Sequence, residues 1–144
     1  MAKFEKQLTA NDVGLTGTHQ AGIHIPKSAK ALLSLLPKLN PRIRNPDAWF
    51  TCIDENGHSW RLRYIYYNSK LFGDGTRDEY RLTQIVRFLK ASGADTGDYL
   101  VLGYENGDYR IELRKEDQNG LSIQEKEDYV PPLKIKLKGW REVH

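Results

Sequence analysis

The chain of 144 residues contains one cysteine, Cys52, and one methionine. A lone thiol closes no internal disulfide and builds no thiolate metal cluster, which removes the cysteine-rich zinc folds and fits a reducing compartment. Long apolar runs are also missing. The most apolar stretch, 29–36, falls far short of the ~20 residues a bilayer helix needs, and Phe4, Glu5 and Lys6 leave no room for a secretory leader close to Met1.

Catalytic signatures are equally scarce. Nucleases that hold Mg²⁺ commonly place an acidic residue two positions before a lysine, because the metal needs hard oxygen ligands and the lysine must stand beside the attacking water. No lysine here is preceded in that way. There is no Gly-x-x-x-x-Gly-Lys loop, no Gly-x-Ser-x-Gly elbow, and no zinc-ligand spacing among His19, His24, His58 and His144. No metal or cofactor is therefore expected, and the balance moves from enzyme to binding module.

What remains is an ordinary globular composition, 39% hydrophobic and 28% charged, in a length that suits a single domain over 1–144. The net charge of +3 hides an asymmetry. Residues 1–93 hold 14 Lys or Arg against 8 Asp or Glu, whereas residues 94–144 hold 8 against 11. A basic first part suits a face that meets a polyanion, although a solvated surface can carry the same imbalance.

Patterning predicts a mainly β chain of α+β type. Strands are expected at Lys3–Leu8, Gly22–Ile25 and Leu133–Leu137, where apolar and polar residues alternate. Two hairpins are expected as well. The first joins Ala48–Asp54 to His58–Tyr67 through Glu55-Asn56-Gly57, and the second turns at Asn106-Gly107 between Tyr99–Tyr104 and Asp108–Arg114. Pro26 precedes a helix from Lys27 to about Leu36, whose Ala29, Leu32, Leu33 and Leu36 share an apolar face. Thr83 caps a second helix over Gln84–Ser92, ended by Gly93. Residues 37–46, 68–79 and 115–132 read as connections. Seven strands and two short helices indicate an open barrel or sandwich.

Two segments are too polar and too specific for plain loops. Thr16–Lys27 (TGTHQAGIHIPK) combines small residues, which permit close backbone approach, with His19, Gln20 and His24 as donors and acceptors. Asn68–Arg81 (NSKLFGDGTRDEYR) carries Arg77, Glu79 and Arg81 at alternate positions, which project from one face of an extended backbone. Arginine can make a bidentate contact to guanine O6 and N7, and a carboxylate can accept from cytosine N4, so Arg-x-Glu-x-Arg can read adjacent G and C bases. The ordinary alternative is a ladder of alternating charge that steadies a strand pair.

These residues resemble a known family. LTANDVGLTGTHQAGIHIPK (Leu8–Lys27) and GTRDEYRLT (Gly75–Thr83) are similar to the signatures of the N-terminal effector-binding domain of EcoRII-type restriction endonucleases, and GDYLVLGY (Gly97–Tyr104) extends the likeness. The resemblance implies the DNA-binding pseudobarrel fold, shared with plant B-three transcription factor domains: a seven-stranded open barrel with two arms that grip the major groove of double-stranded DNA. An N-arm would run over about 15–25 and a C-arm over 68–81. Arg77, Glu79, Arg81 and His19 would then read bases, while Lys6, Gln20, His24, Lys27, Asn68, Lys70, Thr76, Asp78 and Tyr80 would belong to the arms or touch phosphates. Two departures stand out, His24 where the family leads one to expect tyrosine and Gly75 where a basic residue would fit.

The same resemblance implies a short C·G-rich target of the type 5′-CCNGG with A or T at the centre. It also implies a nuclease domain elsewhere in a longer chain and a bacterial cytoplasmic setting. A protein-interaction β module that binds an acidic partner through the same basic arms is the competing expectation.

Overall fold

The structure is a computed structural model that describes residues 2–14, 22–116 and 139–143. In chain order its elements are β1 (Ala2–Gln7), β2 (Ile23–Ile25), α1 (Lys30–Leu35), β3 (Asp47–Ile53), β4 (Ser59–Tyr67), β5 (Glu79–Thr83), α2 (Val86–Ala91), β6 (Tyr99–Glu105), β7 (Asp108–Arg114) and β8 (Trp140–Glu142). A 3-10 turn over Ser69–Phe72 lies between β4 and β5. The strands form one sheet in the order β2-β5-β4-β3-β7-β6-β1-β8, antiparallel throughout except where β3 runs parallel to β7. At its two ends the Trp140 indole N–H donates to the His24 carbonyl at 3.1 Å, so β8 meets β2 and the sheet curls into a nearly closed barrel.

The mainly β architecture with two short helices agrees with the expectation, but the described residues hold eight strands. Strands β5 and β8 were not foreseen, and the strand expected at 133–137 lies outside the described residues. Both hairpins form as read. Asn106 and Gly107 take φ of 55° and 87°, the left-handed pair that a tight type I′ turn demands.

Alternation fills the barrel. Leu62 and Tyr64 of β4 and Leu82 of β5 point inward with Phe4, Ile23, Ile25, Phe50, Leu100, Leu102 and Ile111. Cys52 lies in the same core, and burial pushes its thiol pKa up to about 12, far from reactivity. The helices cover the core through Leu32 and Leu36 and through Ile85, Phe88 and Leu89.

Helix α1 begins later than expected, because Pro26 to Ala29 form a turn in which the Ala29 N–H donates to the Pro26 carbonyl. Helix α2 also starts later. Thr83 is the last residue of β5, its hydroxyl donates to the Arg63 carbonyl at 3.3 Å, and the cap position passes to Ile85. Strand pairing on β4 therefore outbids the cap.

A buried carboxylate fastens the β1 side of the barrel. Glu5 is 3% exposed and accepts from Arg114 of β7 at 2.6 Å and from Arg141 of β8 at 2.6 Å. Burial raises the Glu5 pKa, but the bonds from the two guanidinium groups outweigh it and hold the group below the ordinary glutamate value. A carboxylate whose pKa is lowered on folding stabilises the fold above its unfolded pKa, and that contribution disappears as pH falls through the folded value. Glu5→Gln should therefore lose about 2 kcal/mol at neutral pH. In thermal unfolding, the gap between variant and parent should close once the pH falls below the ordinary carboxylate range.

Candidate nucleic-acid interface

Strand β5 lies between β2 and β4, and this position assembles the site. Its inward residues, Tyr80 and Leu82, pair with Ile25 and Ile23 on β2 and with Tyr66 and Tyr64 on β4. Its outward residues, Glu79, Arg81 and Thr83, pair with Tyr67, Ile65 and Arg63 on β4, while His24 of β2 stands opposite Arg81. The two segments singled out in the sequence are thus hydrogen-bonded neighbours, and their polar side chains share one outer face.

On that face a single carboxylate links two arginines. Glu79 Oε2 lies 2.9 Å from an Arg77 guanidinium nitrogen and 2.5 Å from Arg81 Nε. Arg81 extends a second donor to the Gly22 carbonyl at 2.9 Å, tying β5 to the start of β2. The Arg77 guanidinium carbon sits 3.7 Å from the Tyr67 ring centroid, a cation–π stack that orients its plane. Burial raises the Glu79 pKa, yet the bonds from Arg81 and Arg77 dominate and keep the group ionised at neutral pH. For exposed His24, partial desolvation and the positive Arg81 both lower the pKa, which favours the neutral imidazole, with one donor and one acceptor nitrogen.

A recess of about 350 Å³ opens beside this row, lined by Lys6, Asn11, Asp12, His24, Pro26, Arg81 and Gly139. The Lys6 side chain is 7% exposed, and its ammonium lies 2.6 Å from Asp12. Asp12 also accepts from the Thr9 N–H at 3.0 Å, while its own N–H donates to the Thr9 hydroxyl at 3.2 Å. The root of the N-arm is therefore a bonded turn in which Lys6 is held as an inward-facing partner.

Among the other expected contact residues, the geometry separates those that face outward from those that serve the scaffold. Lys27, Lys70 and Thr76 are exposed. Asp78 points to the opposite side from Glu79, pairing with Lys27 at 2.6 Å and accepting from the Tyr66 hydroxyl at 2.5 Å, so it ties the segment after β2 to β4. Tyr80 faces inward, its ring stacked on Tyr66 with centroids 4.4 Å apart. Its side chain is half-buried and packs against the core from β5.

The expectation of a contact residue at Asn68 is corrected. It is fully buried, accepts from the Asn45 N–H at 2.8 Å, and donates to the carbonyls of Ile43 at 2.8 Å and Pro41 at 3.3 Å. Its amide holds the loop before β3 and has no face left for a partner. His19 and Gln20 lie outside the described residues.

The C-arm is tightly built. The Arg77 N–H donates to the Ser69 hydroxyl at 3.3 Å, and the Lys70 N–H donates to the Arg77 carbonyl at 3.0 Å. A Cβ placed on Gly75 would stand 2.3 Å from Ser69 Oγ. A side chain at this position would push against the Ser69 side chain whose hydroxyl accepts from the Arg77 N–H.

Sequence reasoning missed Tyr67, which carries the Arg77 stack. The aromatic run Tyr64–Tyr67 contained the signal, but only the register shows which tyrosine lies beneath the arginine.

A nearly closed β barrel flanked by two short helices defines the pseudobarrel class of folds. A solved structure of this class, the Arabidopsis FUS3–DNA complex, superposes with a TM-score of 0.61 over 80% of this chain and 98% of its own, at 24% sequence identity. Residues 1–110 match the family "Restriction endonuclease EcoRII, N-terminal", and the chain belongs to that family. It is 39% identical over 118 residues to the type II restriction enzyme EcoRII of Escherichia coli; the match takes in 73% of this chain but 27% of that enzyme.

If Asn68 serves the scaffold, Asn68→Ala should strand the buried carbonyls and the Asn45 N–H and destabilise the fold by about 2 to 3 kcal/mol. Denaturant unfolding would measure this, with proteolysis within residues 41–45 as the local readout.

Proposed function

We propose that this domain binds double-stranded DNA sequence-specifically in the major groove, without cleaving it, as the recognition or effector module of a longer restriction endonuclease. The observation that carries the reading is the Arg77–Glu79–Arg81 row. A carboxylate on a DNA-facing surface repels phosphates, so its place between two arginines suits base reading better than general polyanion attraction. Membership of the EcoRII N-terminal family and the likeness in fold to a protein solved on DNA support the same reading.

In this scheme the C-arm presents Arg77 and Arg81 to guanine edges and Glu79 to a cytosine amino group, on a site of the 5′-CCNGG type with A or T at the centre. His24 and the N-arm residues His19 and Gln20 complete the grip. Lys27, Lys70 and Thr76 meet the backbone, where they fix register and carry no sequence information. The catalytic domain would lie in the remainder of a longer bacterial cytoplasmic protein.

Glu79→Ala separates base reading from charge. Removing the carboxylate frees two arginines for phosphates, so affinity for a scrambled duplex should hold or rise while that for the CCNGG duplex falls. The ratio between them should shrink by about 1 to 3 kcal/mol. Competition anisotropy with both duplexes measures it, and an unchanged ratio would sink the role assigned to Glu79. Binding to acidic proteins with no preference among duplexes would favour the protein-interaction module instead.

A further inference from the structure

The outer face that carries the charged row does not end at β5. Register continues it across β4 onto β3: Arg81 pairs with Ile65 and Ile65 with Asp47, while Thr83 pairs with Arg63 and Arg63 with Trp49. One step further, Arg61 pairs with Thr51. At this end burial alternates, with Asp47, Trp49, Thr51 and Arg61 exposed and the intervening Phe50, Cys52 and Leu62 buried, whereas Ile65 and Thr83, between it and Arg81, are covered.

Two features of this extension call for an occupant. Trp49 is 45% exposed, a large indole on the sheet surface among the described residues. The Arg61 guanidinium lies 4.9 Å from the Trp49 ring centroid. Neighbouring Arg63 is neutralised by Asp47 at 2.6 Å, but among the described residues the Arg61 side chain makes no hydrogen bond or ion pair. Its charge is thus oriented by the indole and, among the described residues, has no acidic partner, on the same outer side of the sheet as Arg77 and Arg81.

Resting on the DNA-binding reading above, we propose that Arg61, stacked on Trp49, is a phosphate clamp for the DNA backbone outside the recognised base pairs. Arg61 is four residues along β4 from Ile65, the partner of Arg81. At the rise of a strand that is about 13 Å, which corresponds to roughly four base pairs along a duplex. A planar guanidinium stacked on an aromatic ring keeps its edge N–H groups free, and that edge is what a phosphate takes up. The contact would add affinity and lengthen the footprint but leave sequence preference alone.

The test uses two duplexes with the same CCNGG site, one with about two flanking base pairs on each side and one with about ten. Arg61→Gln should weaken binding to the long duplex about tenfold and lower the salt slope by about one, while leaving the cognate-to-scrambled ratio and the short duplex unchanged. Arg61→Lys should retain the slope, and Trp49→Leu should weaken binding to the long duplex with no change in selectivity. Thermal midpoints should match the parent, since both side chains stand outside the core. Parental affinity and slope for Arg61→Gln on the long duplex, or equal losses on both duplexes, would overturn the clamp alone. Failure of the parent chain to bind either duplex would overturn the DNA reading and the clamp with it.

Discussion

One carboxylate held between two guanidinium groups organises the charged face. Glu79 bonds to Arg77 and Arg81 at once, and Arg81 reaches on to the Gly22 carbonyl. Each arginine would otherwise sample many rotamers, and ordering a long side chain costs about 1.5 to 2 kcal/mol of lost freedom. Here much of that ordering precedes any partner. Tyr67 adds to it by stacking against Arg77. Pre-ordered donors favour selectivity toward any partner, because a mismatched group leaves them unpaired.

The row also depends on what cannot be seen from outside. Buried Asn68 bonds to Asn45, Ile43 and Pro41, fixing the loop that leads into β3 against the start of the C-arm. Asp78 joins Lys27 and Tyr66 on the side facing away from Glu79. The short stretch from Asn68 to Arg81 therefore divides its polar residues between bonds that shape the arm and groups that face outward. Composition treats them alike; packing separates them. Charge follows the same division, since Lys6 is neutralised in a buried pair whereas Arg61 stands beside an exposed indole with no acidic partner among the described residues.

Across the seam of the barrel, Glu5 bonds to Arg114 and Arg141 and secures β8 against β1. Strand β8 then brings Trp140 to the His24 carbonyl, so the edge that closes the barrel also steadies the strand that carries His24. The outer residues of β2 are thus held from both sides, by β5 in the sheet and by the indole across the seam.

Local chemistry was enough to read the hairpins, the apolar helix faces and the outward projection of Arg77, Glu79 and Arg81. A turn at Asn106-Gly107, an alternation of Leu62 and Tyr64 with Arg61 and Arg63, and an Arg-x-Glu-x-Arg spacing are set by neighbours a few residues away, and short-range sterics impose them in almost any fold. The placement of β5 beside β2, the loss of Thr83 as a helix cap, the inward turn of Tyr80 and the burial of Asn68 and Lys6 came only from the assembled sheet. Apart from Lys6, whose partner Asp12 is six residues away, each turns on a partner distant along the chain, 63 to 83, 45 to 68 or 24 to 81. A contact of that kind forms when many strands pair together, so no local pattern announces it.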